Sequence, residues 1–277
     1  MAVPSSVTSY SWLREPNYFE YPDIRLEMNN TDLLIGFGEV GQAIHSIFGE
    51  RREIAMCDPP KGLILDAFAA DWMHIAIPYT DEFIPTVVEY THMYTPKHII
   101  IHSTVPVGTT RKVERQSDYI PTYFSPIRGR HPNLARAIRD FPKWYSSPLP
   151  GQADEEIEVY YATAGIQTRR APSHEFLEWA KLLETFTYGY NLVMWQEIER
   201  QAAKIPGNKQ ANLSTLKNWL YEKRKCYDGD LGIVPIYDLV PGPIGGHCVT
   251  ENWTLLEPMM DPDLYNWLVK SNGLRKP

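Results

Sequence analysis

The chain has 277 residues, of which 43% are apolar, so it is long enough for one large α/β unit or two modest domains. Its net charge of −7 at pH 7, with no basic block of five or more residues, argues against nucleic acid or an anionic membrane as the main partner. No apolar run approaches the roughly 20 residues that span a bilayer, the N-terminus has no signal-peptide pattern, and the three cysteines show no zinc-ligand spacing, so we expect a cytoplasmic protein without a metal site.

The first half of the chain alternates short apolar runs with helical patterns. Residues 1–30 show no clear period and predict an irregular extension. Beyond them, apolar runs predict strands at 32–35, 53–57, 73–77 and 98–102, with helices at 40–51 and 81–93. This alternation predicts a parallel sheet built from right-handed βαβ units.

The second half is predicted to be helical. Ser173 is a good N-cap, Glu175 suits the first turn, and Pro206 with Gly207 stops the pattern, which together predict a helix over 173–204. Its apolar face is expected to contain Phe176, Ala180, Leu183, Tyr190, Met194 and Ile198. Further helices are predicted at 210–225 and 267–270. We therefore expect one domain over 31–170 and a helical one over 171–277.

Three glycines, Gly36, Gly38 and Gly41, form a G-x-G-x-x-G pattern between the first predicted strand and helix. In a dinucleotide-binding loop they provide the tight turn, the close approach of a pyrophosphate, and close packing of helix on strand. Asp58 follows at the end of the next strand, where a carboxylate binds the ribose hydroxyls of NAD and repels a 2′-phosphate. The sequence predicts an NAD site, and the alternative is a glycine turn that binds nothing.

A cysteine follows a Gly-Gly pair in residues 242–249, GPIGGHCV. Because glycines let the backbone approach a ligand closely, Cys248 is presented like a nucleophile. The alternative is that Cys248 is a small buried apolar residue. Cys57, at the end of an apolar run, is expected in the core, and Cys226 belongs to no pattern.

Four segments, in this order, resemble the UDP-glucose/GDP-mannose dehydrogenase family. They are the glycine loop, STVPVGT at 103–109, KLLET at 181–185 with Asn191 and Glu197 in register, and the cysteine loop at 242–248. The resemblance covers roughly residues 32–255. It implies a Rossmann-type, mostly parallel sheet followed by a helical domain like that of 6-phosphogluconate dehydrogenase.

The family oxidises a sugar CH2OH group to a carboxylate in two NAD-dependent steps. By this resemblance Cys248 attacks the intermediate aldehyde, Lys181 stabilises the developing oxyanion, and Thr104 positions substrate or water. Considered alone, Lys181 is better explained as a surface lysine on an amphipathic helix. Its register with Glu184, Asn191 and Glu197 reverses that preference. The NAD site implied by the pattern consists of Gly36, Phe37, Gly38, Glu39, Val40, Gly41, Asp58, Pro78, Ser103 and Thr104.

The chain departs from the family pattern at several positions. Ile127 stands where the family has a glutamate of the hydrolytic step, and His131 is a candidate replacement base or a solvated loop histidine. Thr185 replaces an asparagine and Asn252 an aspartate, so Asn252 cannot act as a base. The chain ends about thirty residues past Cys248, so we expect the family's third, nucleotide-binding domain to be missing.

Three functions remain open at this stage. The first is an NAD-dependent oxidoreductase acting on a sugar or nucleotide-sugar-like substrate, with its hydrolytic step in doubt. The others are a non-catalytic NAD-binding homologue and a two-electron β-hydroxyacid dehydrogenase with Lys181 as general acid and base. The 173–204 helix, with Trp179, Tyr188, Tyr190 and Trp195, is expected to form a homodimer.

Overall fold

The computed structural model describes residues 31–129, 133–148, 151–226, 242–245 and 249–274. The predicted extension at 1–30 therefore lies outside the described residues. The first half contains five parallel strands, in the spatial order β2-β1-β3-β4-β5. They are β1 (Asp32–Ile35), β2 (Ile54–Cys57), β3 (Trp72–Ile75), β4 (His98–Ile101) and β5 (Thr122–Phe124).

Helices cover both faces of this sheet. They are α1 (Glu39–Phe48), α2 (Phe83–Tyr94), α3 (Thr109–Gln116), α4 (Leu134–Asp140) and α5 (Gln152–Thr163). Because strand side chains alternate between faces, Leu34 packs with α1, α4 and α5, whereas Leu33 and Ile35 pack with α2 and α3. The predicted Rossmann-type sheet is confirmed, and Cys57 is buried in its core as predicted.

A short pair of strands extends the first half. β6 (Lys143–Tyr145) runs parallel to β7 (Thr168–Arg170), and an antiparallel bridge joins Phe124 to Ser146. This bridge brings the end of β6 close to the carboxyl end of β5. Neither strand was predicted, because three residues are too few for a periodic pattern.

The rest of the described chain is helical, with α6 (His174–Ala202), α7 (Lys209–Cys226), α8 (Thr250–Leu256) and α9 (Pro262–Gly273). The Ser173 hydroxyl caps α6 as predicted, accepting a hydrogen bond from the Phe176 N–H at 3.1 Å. An apolar cluster joins α6, α8 and α9; its buried members are Leu182, Phe186, Val193, Trp253, Leu256 and Leu268. The final helix, predicted only at 267–270, is longer because Asp261 caps it.

The predicted apolar face of α6 was only partly right. Phe176 is exposed and the other five predicted positions are partly buried, of which Leu183 and Tyr190 pack against the cluster with α8 and α9. The fully buried positions are Leu177, which packs with the sheet core, and Leu182, Phe186 and Val193, which pack with α8 and α9 far away in sequence. No helix among the described residues is both long enough and apolar enough to cross a membrane.

Candidate active site

Each glycine of the loop meets a different spatial requirement. Gly36 has φ +90°, and a Cβ there would lie 2.6 Å from the Ala76 carbonyl oxygen. A Cβ at Gly41 would lie 2.1 Å from the Gly36 carbonyl oxygen, so α1 can approach β1 only with glycine. A Cβ at Gly38, in contrast, would meet nothing within 4 Å. The space in front of Gly38 is the approach that a pyrophosphate requires.

The N-terminus of α1 completes a site for phosphate. The helix begins at Glu39, directly after Gly38, and no side chain caps it. Its first N–H groups are therefore available to an anion, and the helix dipole favours negative charge there. Val40 is partly buried against the core, and the Phe37 ring packs edge-on against His45 with ring centroids 5.7 Å apart. The residues present fit the diphosphate of a dinucleotide.

Asp58 is held against the glycine loop. Its Oδ2 atom accepts a hydrogen bond from the Phe37 N–H at 2.7 Å, and the side chain is only 13% exposed. The Lys61 ammonium donates to the Phe37 carbonyl and lies 3.8 Å from Asp58 Oδ2. Sequence analysis missed Lys61, because only the turn after β2 brings it back over the loop.

The remaining predicted cofactor residues follow β3 and β4. The Ser103 hydroxyl donates to the Ile77 carbonyl at 2.6 Å and ties the two strand ends together. Pro78 is exposed at this edge, and Thr104 is half-buried. The structure therefore brings the predicted NAD residues together at the carboxyl ends of β1, β2, β3 and β4, where strand order reverses and α/β sheets bind ligands.

Lys181 lies in α6 and is not an extended surface lysine. Its side chain is 12% exposed, and its ammonium contacts Glu184 Oε2 at 3.2 Å. The other carboxylate oxygen of Glu184 accepts a hydrogen bond from Arg128 Nε at 3.2 Å. Arg128 belongs to the loop after β5, so this three-residue cluster connects α6 to the carboxyl edge of the sheet.

Glu178, one turn before Lys181, joins α6 to the segment 103–109. Its buried carboxylate accepts hydrogen bonds from the Gly108 N–H at 2.6 Å and from the Thr110 N–H and hydroxyl at 2.8 and 2.6 Å. It therefore caps α3 from a different helix. Burial raises the pKa of Glu178, against these hydrogen bonds, which lower it. Glu178 was missed by sequence analysis, because a cap between helices leaves no local pattern.

Thr185 and Asn252 are brought together, one turn beyond Lys181. The Asn252 amide is 3.5 Å from the Thr185 hydroxyl, which itself donates to the Leu182 carbonyl at 2.9 Å. The packing of α8 on α6 depends on Gly189, where a Cβ would lie 2.6 Å from the Trp253 ring. Both replaced positions of the family pattern therefore share one α6–α8 contact.

The first part of the cysteine loop is fixed to α9. The Asn272 side chain accepts a hydrogen bond from the Ile244 N–H at 2.7 Å and donates to the Ile244 carbonyl at 2.9 Å. Sequence analysis missed Asn272. Cys248 and His131 lie outside the described residues, so their predicted roles stay predictions.

A buried lysine from β6, and not a carboxylate, contacts the segment after β5. Ile127 is buried and belongs to the same core cluster as Leu134. Its aliphatic side chain has no group that could transfer a proton. The Lys143 side-chain nitrogen, also buried, lies 2.7 Å from the Ser125 carbonyl and 2.6 Å from the Pro126 carbonyl. Burial lowers the pKa of Lys143 well below its usual range, and the charges of Lys181 and Arg128 lower it further.

Solved structures of dehydrogenases share this fold. The chain is similar to a UDP-D-ManNAc dehydrogenase from Pyrococcus horikoshii, with 15% identity and a TM-score of 0.68, over 87% of this chain and 68% of that one. For a UDP-glucose dehydrogenase from Pyrobaculum islandicum, identity is 12% and the TM-score 0.67, over 88% and 68% of the two chains. For Mycobacterium tuberculosis 3-hydroxyisobutyrate dehydrogenase with L-serine, identity is 13% and the TM-score 0.63, over 90% of this chain and 95% of that one.

These similarities confirm the resemblance at the level of the fold. No family model matches the sequence, and no curated protein is significantly similar to it. The solved structures of this fold include both nucleotide-sugar and hydroxyacid dehydrogenases. In the part of the chain that the structure describes, no three His, Cys, Asp or Glu side chains are grouped to hold a metal ion.

Proposed function

We propose that this chain binds NAD at the glycine loop and oxidises a CH–OH group of a sugar or nucleotide-sugar-like substrate. The observation that carries the proposal is the open space at Gly38, between two glycines whose Cβ positions are blocked, directly at the uncapped end of α1. Asp58, held to the loop by the Phe37 N–H, is the group expected to bind the ribose hydroxyls.

Lys181 and Thr104 supply the substrate side of the proposed site. NAD, when bound, accepts the hydride of the alcohol. The ammonium of Lys181, only partly exposed, stabilises negative charge on the substrate oxygen. The Thr104 hydroxyl makes no hydrogen bond to the described residues and is available to orient the substrate. In this two-electron oxidation the alcohol's hydroxyl proton is released to solvent water, while these two side chains bind and orient the oxygen that loses it.

The second oxidation of the family requires more than these residues. By resemblance, the Cys248 thiolate adds to the aldehyde to form a thiohemiacetal, and water hydrolyses the thioester formed after oxidation. Ile127 is buried in the core, and the Asn252 amide does not ionise near neutral pH and so cannot serve as a base. His131 is the candidate base in this proposal. Without such a base, the reaction stops before the carboxylate.

Calorimetry with NAD, followed by a screen for NADH formation with nucleotide sugars, sugars and hydroxyacids, tests the proposal. We expect NAD binding and turnover that is lost in Lys181→Met, with NAD affinity retained because Lys181 lies on the substrate side. Cys248→Ala should abolish carboxylate formation. Absence of NAD binding would overturn the proposal, whereas binding with no turnover on any substrate favours the non-catalytic homologue suggested by the burial of Ile127.

A β-hydroxyacid dehydrogenase is the second candidate. The observation in its favour is the similarity to 3-hydroxyisobutyrate dehydrogenase, of which 95% is matched at a TM-score of 0.63. In that case Lys181 is the general acid and base, and the cysteine loop has no chemical role. Cys248→Ser would then leave the rate unchanged, whereas the nucleophilic mechanism predicts loss of the second oxidation step.

We also propose a homodimer formed through α6. Trp195 is fully buried within one chain and is excluded from that interface, whereas Phe176 and Tyr188 are exposed on the helix. Exposed aromatic side chains are typical of interface residues. Light scattering after gel filtration should give twice the mass of one chain, and Tyr188→Glu should give the mass of a monomer. A wild-type monomer would contradict this proposal.

A further inference from the structure

Lys143, the first residue of β6, is a lysine inside the protein. Its exposure is 5%, and its side-chain nitrogen has two contacts, with the carbonyl oxygens of Ser125 and Pro126 at 2.7 and 2.6 Å. No carboxylate lies within ion-pair distance of it in the described part of the chain. A buried ammonium without a counter-ion is costly, because charge is poorly solvated in the interior.

The number of hydrogen-bond acceptors fits an uncharged amine. A neutral lysine nitrogen has two N–H groups, whereas an ammonium has three. The two carbonyls accept both N–H groups of the neutral form, and the described residues offer no acceptor for a third. The ammonium would therefore lose a hydrogen bond as well as its solvation on burial.

Positive charges face Lys143 from two sides. Lys181 projects from α6 and Arg128 from the loop after β5, and both share the single carboxylate of Glu184. On the strand side, His102 Nδ1 lies 2.8 Å from the same Ser125 carbonyl that Lys143 uses. From α5, the neutral Tyr161 hydroxyl donates to Ser125 Oγ at 2.9 Å.

From this arrangement we propose that Lys143 is an uncharged positioning residue of the candidate site at neutral pH. It holds the Ser125 and Pro126 carbonyls, and thereby the loop that carries Ile127 and Arg128, without placing a third positive charge beside Lys181. The low pKa of Lys143, caused first by burial, is consistent with this state.

The charge of the site follows from this state. With Lys143 neutral, the cluster of Lys181, Arg128 and Glu184 has a net formal charge of +1. This step rests on the proposed function: such a cluster suits a substrate with one negative charge near the reacting carbon, such as a carboxylate or the developing oxyanion. A charged Lys143 would raise the sum to +2.

The pH dependence of stability tests the charge of Lys143 without cofactor or substrate. When the folded-state pKa of a lysine is lowered, the unfolded chain binds more protons between that value and about 10.4, and stability rises with pH across this window. The unfolding equilibrium constant should therefore fall by up to about tenfold per pH unit in wild type. Lys143→Met should remove this dependence of the unfolding equilibrium constant on pH, and the variant should be at least as stable as wild type at pH 7.

The control is Lys97→Met, which removes an exposed lysine that pairs with Asp71 at 2.7 Å. This variant should keep the wild-type dependence of stability on pH. If Lys143→Met also keeps that dependence, Lys143 is charged and the inference is wrong.

A second measurement covers the case in which Lys143→Met does not fold. In wild-type protein labelled with ¹³C at the lysine ε-carbon, one resonance should show the neutral-amine shift at pH 7. If every lysine shows the ammonium shift, the inference is overturned. Neither measurement involves NAD, so Lys143 can prove charged while NAD still binds, and NAD binding can fail while Lys143 proves neutral.

Discussion

The Oδ2 atom of Asp58 accepts a hydrogen bond from the backbone N–H of Phe37 at 2.7 Å, which joins the end of β2 to the glycine loop after β1. An asparagine at position 58 can still accept this hydrogen bond, but it loses the negative charge. We therefore expect Asp58→Asn to fold normally, to bind NAD roughly tenfold more weakly, and to discriminate less against NADP. Calorimetry with both cofactors measures this, with the exposed Asp66→Asn as control. Unchanged affinities would show that Asp58 does not contact the ribose.

At Gly38 we expect a side chain to be tolerated by the fold but not by the bound cofactor. Its φ of −74° suits any residue, and a Cβ there meets nothing within 4 Å. Gly38→Val should therefore keep the wild-type melting temperature while weakening NAD binding by about tenfold or more, because its methyl groups fill the approach of the pyrophosphate. Gly273→Ala, also in open space, should neither lower the melting temperature nor weaken NAD binding. If Gly38→Val binds NAD normally, the cofactor does not lie on this loop.

Local patterns predicted four of the five sheet strands and the glycine loop; β5, with only three residues, was not predicted. The four predicted strands are mainly apolar runs, and the roles of Gly36, Gly38 and Gly41 depend on residues near them in sequence or in the same βαβ unit. Contacts between distant segments were not predictable. Glu178 contacts Gly108 and Lys143 contacts Ser125, and in neither case does one sequence position indicate the other.

The same limit explains the rotated face of α6. Its sequence contains apolar residues on more than one side. Phe186 is buried where α8 and α9 pack, whereas the ring of Trp195 faces Lys217 of α7, 5.9 Å from its centroid. Which side is buried depends on helices more than fifty residues away, so periodicity within α6 could not decide it.

Glu178 is expected to stabilise the contact between α3 and α6. In Glu178→Gln one side-chain oxygen is replaced by an NH2 group, which cannot accept a hydrogen bond and would face an N–H donor such as that of Gly108. We expect a loss of about 1–3 kcal/mol in the free energy of unfolding, because buried polar groups become unsatisfied. Urea denaturation measures this. Glu175→Gln, on the same helix, loses an exposed ion pair with Arg111 and should cost less than about 1 kcal/mol. Equal losses in the two variants would contradict the capping role.

Gly189 lets α8 approach α6. In Gly189→Ala the new methyl group would lie 2.6 Å from a carbon of the Trp253 ring and 2.7 Å from Val249, so α8 must move. Overpacking of this kind costs about 1–3 kcal/mol, which exceeds the gain of up to about 1 kcal/mol from helix propensity. Thermal denaturation should show a lower melting temperature than wild type, whereas Gly273→Ala should not. A stabilised Gly189→Ala variant would mean that α8 does not pack on this turn.

His74 should make the protein sensitive to acid. It is fully buried, its Nδ1 lies 2.9 Å from His102 Nε2, and its Nε2 lies 2.6 Å from the Tyr160 hydroxyl. Burial lowers the pKa of His74 to about 3, and the charges of Arg52 and Lys143 contribute less. Because burial dominates, this expectation holds whether or not Lys143 is charged.

In the unfolded chain the pKa of a histidine is about 6.5, well above that of folded His74. Below that pH the unfolded state takes up a proton that folded His74 does not, so stability present above pH 6.5 is lost as the pH falls toward about 3. At pH 5 this amounts to about 2 kcal/mol. In urea denaturation, His74→Gln should be less stable than wild type at pH 7 but lose less stability between pH 7 and 5. The exposed His92→Gln should behave like wild type, and an acid loss in His74→Gln equal to that of wild type would show that His74 is protonated in the folded protein.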